Sequence, residues 1–266
     1  MDMTDRIAAA LGASPLDVAP LSGGDVSQVV AGRAADGRDF VAKTGNALVE
    51  AEMLRAIAAS GCPAPDVIHA EDDLLIMTRL VERPADPAGW RAAGHAIAGL
   101  HATPGELFGW HVPTAFGSAP CPAGHDDDWA VFWVEKRLLA WPEALPSDVA
   151  RRVERVAGKA AGLLDHAPAP RLLHGDMWSG NVLFDGQRFS GLIDPACYYG
   201  DPEVDLALLT LFGRPPQVFW DAYGPLPEGW EARRPLYTLW PALVHLRLFG
   251  GSYRSMVERL LDRLGA

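Results

Sequence analysis

The sequence predicts an α+β chain of two lobes: a small five-stranded antiparallel β lobe with one helix over residues 1–80, and a larger, mainly helical lobe over 81–266. Three observations predict it. Short strand-like segments separated by turn signals fill the first eighty residues. One alanine-rich stretch interrupts them. From Pro84 onward the apolar spacing becomes helical.

Asp5–Leu11 is a short helix candidate. Val18–Leu21, Val26–Gly32 and Asp39–Thr44 follow as strands, separated by Gly23-Gly24 and by Ala35-Asp36-Gly37, both hairpin-type turns. Ala47–Ser60 is unbroken, alanine-rich and stopped by Gly61, which predicts the inserted helix. Asp66–Ala70 and Leu74–Leu80 complete the sheet around the Glu71-Asp72-Asp73 turn. Beyond Pro84, helices are expected at Trp90–His101, Trp129–Leu139 and Asp148–His166, and again from Glu203 to the end. The run Asp126-Asp127-Asp128 supplies an N-cap for the second of these. Between Leu172 and Asp194 the pattern returns to short β segments and loop.

The bulk composition narrows the function classes. A formal net charge of -11 argues against a nucleic-acid partner, which needs a basic face. The chain contains no run of eighteen apolar residues, so no membrane partner is expected. Its start, Met1-Asp2-Met3-Thr4-Asp5-Arg6, lacks the order of a signal peptide. The expected compartment is the cytoplasm, and the expected state a monomer or weak homodimer. Cys62, Cys121 and Cys197 form no C-x-x-C pair, so neither zinc nor a disulfide framework is indicated.

The segment carrying chemistry is His174-Gly175-Asp176-Met177-Trp178-Ser179-Gly180-Asn181, followed by Ile193-Asp194-Pro195. Phosphoryl transfer asks for a carboxylate that orients and deprotonates the attacking hydroxyl, and for metal ions that neutralise phosphate oxygens. Magnesium prefers hard oxygen ligands and keeps several waters, so one Asn carbonyl and one carboxylate suffice. H-x-D-x-x-x-x-N with a second Asp further on supplies these groups. Asp176 is the candidate base, and Asn181 and Asp194 are candidate Mg²⁺ ligands.

Upstream, Phe40-Val41-Ala42-Lys43 ends the third strand with one of only three lysines among 23 basic residues. Arginine is this chain's usual cation, so a retained lysine suggests a point charge on phosphate. The next helix offers Glu50 and Glu52 as partners, of which Glu50 is the better placed. Gly23, Gly24 and Ser27 lie where a phosphate-covering loop would sit, although the segment is neither G-x-G-x-x-G nor a Walker A loop.

H-G-D-M-W-S-G-N at His174–Asn181 resembles the fructosamine (ketosamine) kinase family, whose hallmark is H-G-D-L-W-S-G-N. The resemblance continues through Ile193–Glu203, Asp205-Leu206-Ala207, Leu211-Phe212-Gly213 and Leu248-Phe249-Gly250, and more weakly at Gly94–His101, Asp127-Asp128-Trp129 and Gly23–Gln28. The broader aminoglycoside phosphotransferase group shares only H-G-D, the Asn and the later Asp. The resemblance implies a protein-kinase-like fold that uses ATP and Mg²⁺. The implied reaction is phosphorylation of a sugar hydroxyl, typically the 3-hydroxyl, on a ketoamine formed by glycation of a metabolite or a protein. It also implies that Asp205 braces the catalytic loop by bonding to backbone or to His174, and that Met77-Thr78-Arg79-Leu80 is the hinge meeting adenine. Thr78 stands where the family usually has Glu, which matters little if the main chain reads the base. The phosphate loop has no cysteine, so the redox-switched dimer proposed for some members is not expected.

For the acceptor, Trp178 could stack on the sugar, and His245 and Asp128 could line a pocket suited to a cationic amine. The alternatives are a kinase for another small hydroxyl or amine compound, aminoglycoside- or choline-like, and a nucleotide-binding pseudokinase.

Overall fold

Asp2 opens the first helix, α1 (Met3–Leu11), by accepting the Asp5 amide at 2.8 Å. The computed structural model describes residues 2–12, 14–21 and 28–266. Five strands follow, β1 (Leu16–Pro20), β2 (Val29–Arg33), β3 (Asp39–Thr44), β4 (Val67–Glu71) and β5 (Leu74–Thr78), with helix α2 (Ala47–Ala59) between β3 and β4. They form one antiparallel sheet in the order β1-β2-β3-β5-β4.

Alternation along the strands explains the two layers on this sheet. Phe40, Ala42, Leu74 and Ile76 pack with Ile7 of α1 on one face, whereas Leu75 and Met77 pack with Ala47, Ala51 and Leu54 of α2 on the other. Strand β5 is covered on both sides, so it reads as an unbroken apolar run. Lys43 lies two residues from Val41, which packs with the α2 layer, so it shares that face.

After β5 comes α3 (Pro87–Ala102), capped by Asp86. Where only helices were expected, the structure then has four short strands: β6 (Phe108–Trp110), β7 (Thr114–Phe116), β8 (Ala119–Cys121) and β9 (Gly124–Asp126). Pro113, Pro120 and Pro122 deny this stretch a helical hydrogen-bond ladder. Helix α4 (Trp129–Trp133) continues as a π-helical turn, Val134–Leu138, with Leu139 N bonded to Val134 O at 2.8 Å. Arg137 on this turn is buried, its guanidinium 4.3 Å from the centre of the Tyr198 ring. The single helix expected over Asp148–His166 is two, α5 (Ser147–Ala157) and α6 (Ala160–Leu163), separated by Gly158.

Strand β10 (Arg171–Leu173), the hairpin β11 (Val182–Asp185) and β12 (Arg188–Leu192), and β13 (Tyr198–Gly200) carry the loops of interest. Strands β10-β13-β6-β9 form a second sheet. Helices α7 (Glu203–Leu209), α8 (Gln217–Tyr223), α9 (Trp230–Phe249) and α10 (Arg254–Arg263) close the larger lobe around one core. Among the described residues no helix is long and apolar enough to cross a membrane. All three cysteines are free and buried, and burial pushes the Cys62 thiol up to about 12.

Candidate active site

A cleft of about 1250 Å³ runs between the sheet of the small lobe and the loops after β10 and β12. Lys43, at the end of β3, lies 2.5 Å from Glu50 on α2 and 2.5 Å from Asp194. Both contacts are close ion pairs between the ammonium and a carboxylate oxygen. Burial disfavours the lysine's charge, but the two carboxylates outweigh it and raise the lysine pKa. Burial raises the Glu50 pKa against the pull of Lys43. Helix α2 turns Glu50, not Glu52, toward the lysine; Glu52 pairs with His111 at 3.3 Å.

The loop after β10 is held by a buried frame. Asp205 on α7, fully buried, accepts the His174 amide at 2.7 Å and the Gly175 amide at 2.9 Å. The His174 ring donates from Nε2 to Ile193 O at 2.9 Å and accepts the Asp176 amide on Nδ1 at 3.3 Å. The carbonyl can only accept, which assigns the tautomer. Burial lowers this histidine's pKa, so the ring is neutral. Gly175 sits at φ +82, and a Cβ there would fall 2.0 Å from Ala196 O. Only glycine lets the Asp176 loop and the Asp194 loop approach so closely.

Asp176 itself is fixed by Asn181, whose Nδ2 donates to Asp176 O at 2.8 Å and to Asp176 Oδ2 at 3.1 Å. Burial lifts the Asp176 carboxyl to about 7, against the Asn181 bond and with help from the charges of Asp194 and Asp205. The hairpin β11–β12 pairs Val182 with Leu192, and Ile193 N donates to Asn181 O at 3.1 Å. That register delivers Asp194 beside Asn181 and accounts for their separation in sequence. Both donors suit Mg²⁺. The Asn181 amide nitrogen is committed to Asp176, so its side-chain oxygen is the atom that could meet a metal ion, and the Asp194 carboxylate is exposed to the cleft with Lys43 as its partner.

Trp178, two residues after Asp176, is 40% exposed. A Cβ on Gly180 would meet that ring at 2.2 Å, so the glycine of W-S-G-N lets the indole lie against its own loop at the cleft wall. Met77, Thr78 and Leu80 line the opposite end of the cleft with Val29, Val41, Leu183 and Ile193. The amides of Thr78 and Arg79 are bonded to Asp66 O and Asp39 O. Gly23, Gly24 and Ser27 lie outside the described residues.

His245 lines the cleft from α9, and its Nδ1 donates to Pro241 O at 2.8 Å. The structure does not bring Asp128 to the cleft. Its carboxylate accepts the Val131 amide at 3.0 Å and caps α4, so this short side chain is committed to its own helix. Two support residues went unsingled in the sequence. His101 Nε2 lies 3.1 Å from Asp205 Oδ2, and its Nδ1 lies 2.8 Å from the Tyr223 hydroxyl. No local pattern in the sequence marks that chain of contacts. The wall of α9 did leave a signal, the i, i+4, i+8 spacing of Pro241, His245 and Phe249.

Fold and cleft together define a member of the protein-kinase-like phosphotransferases. Within that group the chain belongs to the fructosamine kinase family, whose profile matches residues 3–266. It is similar to the Escherichia coli K12 protein named "Probable ketoamine kinase YniA", at 34% identity over 231 residues, 81% of this chain and 79% of that one. The Thermus thermophilus protein named "Probable ketoamine kinase TTHA1179" is 32% identical over 256 residues, 91% and 92% of the two chains. Matches to relatives from Synechocystis and Enterococcus faecium, at 37% and 38% identity, span 61% and 64% of those proteins. A crystal structure of a candidate fructosamine-3-kinase from Thermobifida fusca superposes with a TM-score of 0.90 at 32% identity, covering 99% of this chain and 98% of that one. The aminoglycoside phosphotransferase APH(4)-Ia, in complex with AMP-PNP and hygromycin B, gives 0.68 at 20% identity over 100% and 97%, a likeness of fold alone.

Proposed function

We propose that this protein transfers the γ-phosphoryl group of ATP to a sugar hydroxyl of a ketoamine, with Mg²⁺ held by Asn181 and Asp194. The observation that carries the reading is the Asp176 carboxylate. It is half-buried, fixed by Asn181, and lines one cleft with the Lys43–Glu50 pair and Asp194. Membership of the fructosamine kinase family supplies the acceptor class.

The geometry supports a division of labour. Lys43, held by Glu50, offers a fixed cation to the nucleotide phosphates. Asn181 and Asp194 would hold a metal ion, which would supply charge neutralisation at the transferring phosphoryl oxygens. Asp176 accepts the proton of the attacking hydroxyl, and a carboxyl poised near neutrality suits that task. Asp205 positions the loop by binding two of its amides. Adenine belongs against Met77, Thr78 and Leu80. Because the Thr78 and Arg79 amides are engaged, the base edge is read further along, at Leu80.

Trp178 offers a ring face for the sugar. His245 Nδ1 carries the proton given to Pro241 O, so its Nε2 is an acceptor for the ketoamine N–H. Burial lowers the His245 pKa and keeps the ring neutral, so it does not repel an ammonium. The test is product identity. After incubation with Mg·ATP and 1-deoxy-1-methylamino-fructose, phosphorus–proton correlation NMR should show a phosphate ester on a sugar carbon. ATP hydrolysis to free phosphate with the acceptor unmodified would contradict the reading.

A further inference from the structure

The charged residues of the cleft are unevenly placed. Asp39, Lys43, Glu50, Arg79, Glu82 and Asp194 stand on the nucleotide side or on the Asp194 loop. Beyond Asp176, the wall made by α9 and by the turn at 114–117 carries no charged side chain among the described lining residues. Trp240, Val244, His245, Leu248 and Phe249 form two adjacent ridges of α9 there.

At the mouth of this half the surface is aromatic. Trp178, Phe212 and Phe249 are 40%, 38% and 48% exposed, and among the described residues they are the only aromatics with such exposure. They belong to one rim. His245 lies 4.9 Å from the Phe212 ring centre and 5.6 Å from that of Phe249, and it also touches Tyr253 at 4.9 Å. A Cβ on Gly213 would stand 3.5 Å from the Ser179 side chain, which sets the Phe212 turn against the Trp178 loop. Single exposed rings are ordinary, but rings gathered around His245 form a contiguous apolar patch of the kind that marks a binding surface.

We infer that this rim of α9 is the subsite for the substituent on the ketoamine nitrogen, and that it selects neutral, apolar substituents over ones that end in a charge. The inference rests on the ketoamine reading above. Its physical basis is that an apolar substituent gains by burial against Phe212 and Phe249, roughly in proportion to the area covered. A terminal ammonium would shed water with no carboxylate on that wall to receive it. Cation–π attraction to rings as exposed as Phe212 and Phe249 is weak and recovers only part of that cost.

The test compares two isosteric acceptors at pH 7, the fructose adducts of butylamine and, on one nitrogen, of 1,3-diaminopropane, with the methylamine adduct as the headgroup alone. The butyl adduct should have kcat/KM about 10-fold above the ammoniopropyl adduct, expressed in KM, as expected for one apolar end group buried. In Phe249→Ala that ratio should fall several-fold. A merely structural defect would depress both acceptors alike and leave the ratio intact, so the ratio is the readout, with thermal melting recorded beside it. Equal kcat/KM for the two adducts, or preference for the ammoniopropyl adduct, overturns the inference while leaving the kinase reading in place. Turnover of none of the three, the methylamine adduct included, removes both. A dimer that Phe249→Ala dissolves, with the ratio unmoved, would assign the rim to a second copy of this chain and also overturn it.

Discussion

Lys43 Nζ stands between two carboxylates, 2.5 Å from Glu50 and 2.5 Å from Asp194, and so links strand β3 and helix α2 to the loop after β12. One of these contacts is internal to the small lobe, and the other crosses the cleft. If Glu50 fixes the lysine for phosphate, Glu50→Gln should raise KM for ATP on the order of 10-fold, the equivalent of one weakened charge contact. Global stability should change little, because desolvation of a buried pair offsets much of its attraction. An unchanged KM for ATP would mean that Asp194 alone positions the lysine.

Asp205 should be needed for stability as well as rate. Asp205→Ala leaves the His174 and Gly175 amides without their buried acceptor, at a cost of about 3 kcal/mol or more in urea unfolding. Tyr223→Phe removes only the hydroxyl beside His101 and should cost about 1 kcal/mol. Equal costs for the two would contradict the placement of Asp205 at the centre of the frame.

Gly180→Ala puts a methyl group where the Trp178 ring lies. The ring must swing away, so KM for the acceptor should rise about 10-fold, the loss of one stacking contact, while KM for ATP stays near its original value. Trp178→Ala should do the same, and the double variant should be no worse than either single, because both remove one contact. Additive effects in steady-state kinetics would show that Gly180 serves the loop independently of the indole.

Stability should respond to pH through His245. Burial holds its folded-state pKa below the usual value of about 6.5, so the unfolded chain binds more protons in the window between the two. This contribution is fully present above about 6.5, is lost as the pH falls toward the folded value, and levels off below it. The melting temperature should therefore fall less between pH 7 and pH 5 in His245→Phe than in the unaltered protein. Identical slopes would show that the ring titrates in the folded chain as it does in water.

Much of this was legible in the sequence because it depends on local chemistry. The β lobe announced itself through turn residues and alternation, and the one loop from His174 to Asn181 contains the proposed base, a proposed metal ligand and the glycine that accommodates Trp178. The missing parts depend on packing. The short strands between Phe108 and Asp126 are three residues each, β6 pairing with β9 and with the distant β13, and have no periodic run long enough to read. Pro235 and Pro241 argue against one helix over Trp230–Phe249, yet α9 is continuous, packed against α7 and α10. His101 on α3 reaches Asp205, Tyr223 on α8 reaches His101, and nothing in their own neighbourhoods marks them. Asp128 carried two readings in the sequence, as cap and as acceptor contact, and its bond to the Val131 amide shows the cap.

The central claim is tested most directly by ADP release from Mg·ATP with 1-deoxy-1-methylamino-fructose, with an aminoglycoside and choline as parallel acceptors, in the unaltered protein, Asp176→Asn and Asp194→Ala. The predicted result is turnover on the fructosamine alone. Asp176→Asn should reduce it about 10²–10⁴-fold with ATP binding retained, and Asp194→Ala should lose metal-dependent nucleotide binding. Turnover on choline or the aminoglycoside instead, or variants that behave alike, would contradict the account.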